Sequence, residues 1–143
     1  MFNLDDCMAF TTSRSAKVFS EAMERRLSPY NVTRPQWIAL YYIYTNDSIT
    51  QRELADKMSI KEPTVVRLIQ KMEGEDLLTR SGAKGDKRIK QLCLTEKGIR
   101  LCRELLPVAE KFMYDTIAGI SQEDLQTLKN ALDKMVSNAL RNE

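Results

Sequence analysis

The chain has 143 residues, 43% of them hydrophobic and 29% charged, with a formal net charge of +2; this is the make-up of one soluble globular domain or a tightly fused pair. Histidine is absent, and Cys7, Cys93 and Cys102 form no CxxC, which removes Ser-His-Asp and Cys-His catalysis and histidine-based metal sites. There is no P-loop, no GxGxxG, no apolar run of 18 residues and no basic n-region at the start, so the expectation is a cytoplasmic protein with reduced thiols, no cofactor, no metal and no enzymatic activity.

Residues 4–27 predict the first helix. Leu4, Met8, Ala16, Phe19, Met23 and Leu27 recur at three- and four-residue steps, with a break at Thr11, Thr12 and Ser13. Ser28-Pro29 ends it. Thr33 and Gln36 then form a capping box, and Pro35 suits the first turn of the second helix, where a missing N–H costs nothing. Trp37, Leu40, Tyr41 and Tyr44 are its expected apolar face. Thr50 and Glu53 predict another capping box and a short helix through Met58. Ser59 to Lys61 is a turn. Glu62-Pro63 opens the next helix, which should bury Val65, Val66, Leu68, Ile69 and Met72 and expose Lys61, Thr64, Arg67 and Lys71.

Leu77–Arg80 and Ile89–Leu94 are strand-like, and Ser81-Gly82 and Gly85-Asp86 mark a turn region between them. Thr95 caps a long helix to about Ala118, with a kink expected at Pro107 unless a neighbour fills the lost bond. Gly119 ends it. Ser121 and Asp124 start a last helix, on which Leu125, Leu128, Leu132, Met135 and Ala139 follow a 3-4-3-4 spacing. Two short helices, a strand, a basic turn and a second strand are the plan of a winged helix-turn-helix. The expected fold class is therefore mainly α with a small β-hairpin. The expected organisation is a DNA-binding lobe over residues 33–98, flanked by N- and C-terminal dimerisation helices over 1–30 and 99–143. The apolar stripes of those flanking helices need a partner, which argues for a homodimer.

Charge distribution says more than net charge. Residues 79–90 carry Arg80, Lys84, Lys87, Arg88 and Lys90 against Asp86 alone, whereas residues 121–143 carry one more acid than base. Positive charge is thus gathered where a phosphate backbone would lie.

VTRPQWIAL at 32–40, RELADKMSIKEPTVVRLIQKMEGEDLLTR at 52–80, GDKRIKQLCLTEKG at 85–98 and IAGISQEDLQTL at 117–128 carry a resemblance over nearly the whole chain. It resembles the MarR family of bacterial transcriptional regulators, most closely the SlyA-like branch. The most specific element is the acidic-x-Arg wing tip followed by LTEKG, with EPTVVRL upstream. Glu75-Asp76 stands where the family usually has a glycine, a departure expected to tighten the turn before the first wing strand. The resemblance implies a homodimer on a palindromic double-stranded DNA operator. It further implies a repressor released by a small anionic or aromatic effector, such as an aromatic carboxylate.

On this reading Lys61, Glu62, Pro63, Thr64, Arg67 and Lys71 present the recognition helix to the major groove. Arg88 resembles the family arginine that enters the minor groove. Asp86 would brace its guanidinium, and Lys84, Lys87 and Lys90 would lie near phosphates. Lys17, Trp37, Tyr41 and Arg67 match effector-contacting positions of the SlyA-like branch, though Lys17 replaces an arginine and Tyr41 a histidine. An ammonium cannot reproduce a guanidinium fork, so effector choice would shift. Alternatively Trp37 and Tyr41 are simply core. Two further alternatives stay open. One is peroxide sensing through Cys7, although Asp5 and Asp6 beside it would repel the thiolate that such chemistry needs. The other is a winged helix used for protein contact.

Overall fold

The computed structural model describes residues 1–83 and 86–143, and the side chains of 83–89 lie outside that description. The helices are α1 (Met8–Leu27), α2 (Arg34–Thr45), α3 (Gln51–Met58), α4 (Glu62–Gly74), α5 (Glu96–Ile117) and α6 (Gln122–Arg141). Strands β1 (Leu78–Ala83) and β2 (Asp86–Leu94) pair antiparallel between α4 and α5.

Local signals account for most helix starts. Gln36 N donates to Thr33 Oγ1 and Thr33 N to Gln36 Oε1, a complete capping box at α2. Glu24 adds a carboxylate at the same helix end, accepting from Arg34 N at 2.7 Å. Thr50, Thr95 and Ser121 accept from Glu53 N, Gly98 N and Asp124 N. Gly119, at φ +81, ends the α5 region in the left-handed conformation.

Three expectations are corrected. The first helix starts at Met8, not at residue 4. Asn3 accepts from Asp5 N and nucleates a separate 3-10 turn, Leu4–Asp6, and Cys7 is extended between turn and helix. The break in the apolar stripe at Thr11–Ser13 does not interrupt the helix, and Thr12 Oγ1 donates back to Met8 O at 2.7 Å within it. The hairpin is longer than local turn propensity suggests. Ser81 and Gly82 pair with Gln91 and Lys90, and the register shifts only between Gly82 and Ala83. Pro107 lies inside α5, which runs as one helix through it.

Two compact units are present: residues 1–21 with 111–143, and residues 22–110. The second holds every buried apolar residue, including Leu27 of α1, Leu40 of α2, Leu54 of α3, Ile69 of α4, Leu78 and Leu92 of the hairpin, and Leu105 of α5. The first has no buried residue in the single chain. Several of its large apolar side chains are open instead, with Phe19 53%, Leu128 56% and Val136 57% exposed, while Leu125, Leu132 and Met135 are half-buried.

Candidate nucleic-acid interface

The turn between α3 and α4 is set by Ser59, which is left-handed (φ 56); its N–H donates to Asp56 O, and Ile60 N donates to Ala55 O. Lys61 then stands extended as the N-cap of α4, and both Thr64 N and Val65 N donate to Lys61 O. No side chain caps this end. Val65, Ile69 and Met72 are buried, while Lys61, Glu62, Pro63, Thr64, Arg67 and Lys71 are exposed. The solvent-facing stripe of three cations and a threonine is as the periodicity predicted, whereas Val66 and Leu68, expected to be buried with the other three, are only half-buried. A largely apolar cavity of about 550 Å³ runs beside that stripe. Thr64, Leu68 and Lys71 form one wall, facing Ile38 of α2 and Met58 and Ile60.

The hairpin is attached to this lobe on both edges. On the β2 side, Leu92 N donates to Ile49 O at 2.8 Å and Thr50 bridges to Gln91. On the β1 side, Arg80 grips Glu73 in the last turn of α4, with Nη2 2.9 Å from Oε1 and Nε 3.2 Å from Oε2. Arg80 is therefore engaged within the lobe itself. Lys90 is exposed on β2. The side chains of Lys84, Asp86, Lys87 and Arg88 lie outside the described residues.

Between α4 and β1 the chain makes a dense joint. Asp76 adopts φ 61, the left-handed region that glycine occupies most readily. The Glu75-Asp76 departure thus keeps a glycine-like backbone without glycine. The joint is tied from two directions. Gln36, 2% exposed, donates from Nε2 to Glu75 Oε1 at 3.3 Å. From the start of α5, Lys97 Nζ donates to Glu75 O (2.9 Å), Thr95 Oγ1 to Asp76 O (2.6 Å) and Thr95 N to Leu77 O (3.1 Å). A methyl on Gly98 would lie 2.1 Å from Leu77 O, so this glycine admits the backbone of the joint. Sequence reading missed these partners. A glycine in the first turn of a capped helix was the one available signal.

The four effector-pocket candidates fare differently. Trp37 and Tyr41 have ring centroids 5.8 Å apart, tilted by 50°. The buried face of α2 is Gln36, Ala39, Leu40 and Ile43, while Trp37 is half-buried and Tyr41 is 40% exposed. Of the expected face Trp37, Leu40, Tyr41 and Tyr44, only Leu40 is buried; the rest is corrected, because Gln36 turns inward to Glu75 and Ala39 and Ile43 complete the buried side. Arg67 is exposed on α4, and neither it nor the two aromatics line the cavity beside the helix. Lys17 is exposed on α1 and belongs to the other unit. Among the thiols, Cys93 is exposed and Cys7 half-buried, whereas burial pushes the Cys102 thiol up to about 11. Among the described residues no cluster of acids and cysteines is placed to hold a metal, and no helix is long and apolar enough to cross a membrane.

Comparison with known proteins places this geometry. Residues 32–90 match the MarR family. AbsC, a MarR family transcriptional regulator from Streptomyces coelicolor, superposes with a TM-score of 0.87 at 22% identity, covering 100% of this chain and 98% of its own. MepR of S. aureus, solved in complex with DNA, gives 0.85 at 24% identity over 92% of this chain and 98% of its own. BpsR of Bordetella bronchiseptica, solved to explain regulation of its DNA binding by 6-hydroxynicotinic acid, gives 0.86 at 19% identity over 95% and 97%. Residues 32–90 are thus similar to the MarR family, within a fold that almost the whole chain shares with solved structures, among them the MarR family transcriptional regulator AbsC.

Proposed function

We propose that the protein is a DNA-binding transcriptional regulator of the MarR family, closest to its SlyA-like branch, which represses from a palindromic operator as a homodimer. The observation that carries this reading is the stripe Lys61, Thr64, Arg67 and Lys71 on α4, beside a hairpin anchored to the same lobe. Thr64 and Arg67 would meet base edges, and Lys61, Lys71 and Lys90 would meet phosphates. Lys84, Asp86, Lys87 and Arg88 would form the minor-groove tip. Residues 33–98 serve as the reading lobe, and 1–30 and 99–143 as dimerisation helices. The exposed Phe19, Leu128 and Val136 support that assignment, since apolar side chains of this size are seldom left open without a partner surface. Regulation by a small aromatic carboxylate is favoured by likeness to BpsR, whose DNA binding responds to 6-hydroxynicotinic acid. Lys17, Trp37, Tyr41 and Arg67 are the proposed contacts.

Selection of bound DNA from a random pool tests the reading. The expected product is a palindrome with half-sites about one helical turn apart, bound by a species of twice the chain mass in light scattering. An unenriched pool, or a monomer on DNA, would reject it. Adding salicylate-like acids at millimolar levels to the operator complex tests the effector, and an unchanged complex would remove that part alone.

A further inference from the structure

A two-stranded hairpin has little stability of its own, so the direction of a wing depends on what fastens its base. Here the two edges are fastened differently. β2 is held through the main chain at Ile49 and Thr50, whereas β1 is held through the Arg80–Glu73 fork. The fork is bidentate and planar, so it fixes orientation as well as distance. Its two side chains are 29% and 38% exposed, so both are partly withdrawn from solvent. Glu73 follows the buried Met72 and lies two residues beyond Lys71 of the reading stripe. Arg80 stands opposite Leu92, the residue whose N–H is bonded to Ile49.

We infer that Arg80 is a positioning residue and not a DNA ligand: its fork to Glu73 aims the wing relative to the reading helix. The inference rests on the DNA-binding reading of this same interface. It gives Arg80, one of five cations in the 79–90 segment, a role that its charge alone would not suggest.

The test uses the full chain and its selected operator, with affinity measured by fluorescence anisotropy across a salt series. Arg80→Ala should weaken binding about tenfold while leaving the slope of log K against log salt unchanged, because no phosphate contact is lost; a phosphate ligand would lower that slope by about 0.9. Arg80→Lys should bind almost as weakly as Arg80→Ala, since an ammonium keeps the charge but not the fork. The double exchange Glu73→Arg with Arg80→Glu should return affinity to within about threefold of the parent. A slope reduced by about 0.9, a fully active Arg80→Lys, or an exchange no better than the single changes overturns the assignment. Hydrogen exchange in the DNA-free chain separates this inference from the proposed function. Arg80→Lys should speed amide exchange in residues 78–82 and 90–94 whether or not an operator exists, and unchanged exchange there sinks the fork even if DNA binding is proven.

Discussion

Gly98→Ala is the sharpest single test of the joint between α4, β1 and α5. The added methyl would lie 2.1 Å from Leu77 O, 3.1 Å from Leu77 C and 3.3 Å from Leu94 Cβ. The first two are backbone atoms, so no flexible side chain can step aside. Leu77 is itself 3% exposed, and its carbonyl accepts from Thr95 N at 3.1 Å. Relieving the clash means moving that carbonyl away from its donor. Overpacking of this kind costs about 1–3 kcal/mol, and the weakened hydrogen bond about 1 kcal/mol. Alanine's better helix propensity offsets at most about 1 kcal/mol. The net is about 2 kcal/mol, a fall in Tm of roughly 4–8 °C for a chain of this size. Gly74→Ala is the internal control, because a methyl there meets nothing within 4 Å. That change should stabilise by about 0.5–1 kcal/mol through the unfolded chain. Thermal denaturation followed by circular dichroism reads both. The same sign for the two substitutions, or a Tm for Gly98→Ala at or above the parent, would show that the close approach does not constrain the joint.

Arg88→Ala should cost about 1–3 kcal/mol in operator binding, the scale of one specific contact, whereas Lys87→Ala should lower affinity evenly across sequences; equal losses on operator and random DNA for Arg88→Ala would dismiss the minor-groove role. Asp76→Val should destabilise by about 1–3 kcal/mol, because a β-branched side chain opposes the φ of 61 that Asp76 holds, and urea denaturation midpoints would expose a neutral result. In a thiol titration at pH 8, the exposed Cys93 should react at once, and the buried Cys102, pushed up to about 11, only after unfolding. The Cys102 shift also sets a sign with pH. Its folded-state value is raised, so the associated stability is present below about 9 and lost as pH climbs toward about 11. A Cys102→Ser chain should lack that alkaline loss.

What the sequence made legible was short in range. The helix starts at Thr33, Thr50 and Ser121 each depend on a residue three positions away, and a capping pattern of that span can be seen without a fold. The divided faces of α4 follow from a 3.6-residue period. Strand ends were less legible, because Ser81 and Gly82 have turn-like propensity while their pairing to Gln91 and Lys90 is decided across the hairpin. The site's supports were harder still. Glu75 and Gln36 are 39 positions apart, and Lys97 reaches back 22 to Glu75 O. Neither spacing carries a periodic or compositional mark. Trp37 misled for a related reason: its size suggested core, but the cap turned the neighbouring Gln36 inward and gave α2 a different buried face.

These supports share one origin. Met72 is fully buried on the packed side of α4, and within the next five residues the chain is tied to the hairpin, to α2 and to the start of α5. Glu73 takes the wing through Arg80, and Glu75 takes α2 through Gln36. The carbonyls of Glu75, Asp76 and Leu77 take the start of α5 through Lys97 and Thr95. Rotating α4 would therefore strain the hairpin base, the α2 cap region and the first turn of α5 together. A change imposed on the start of α5 would reach the exposed stripe of α4 by the same route, since Thr95 and Lys97 grip the joint directly. Such coupling needs two arrangements of a packed element and not a flexible hinge. On the proposed DNA-binding reading, substitutions at Glu75 or Thr95 should alter operator discrimination more than total affinity in anisotropy titrations against operator and random DNA. Substitutions at Lys61 or Lys90 should do the reverse.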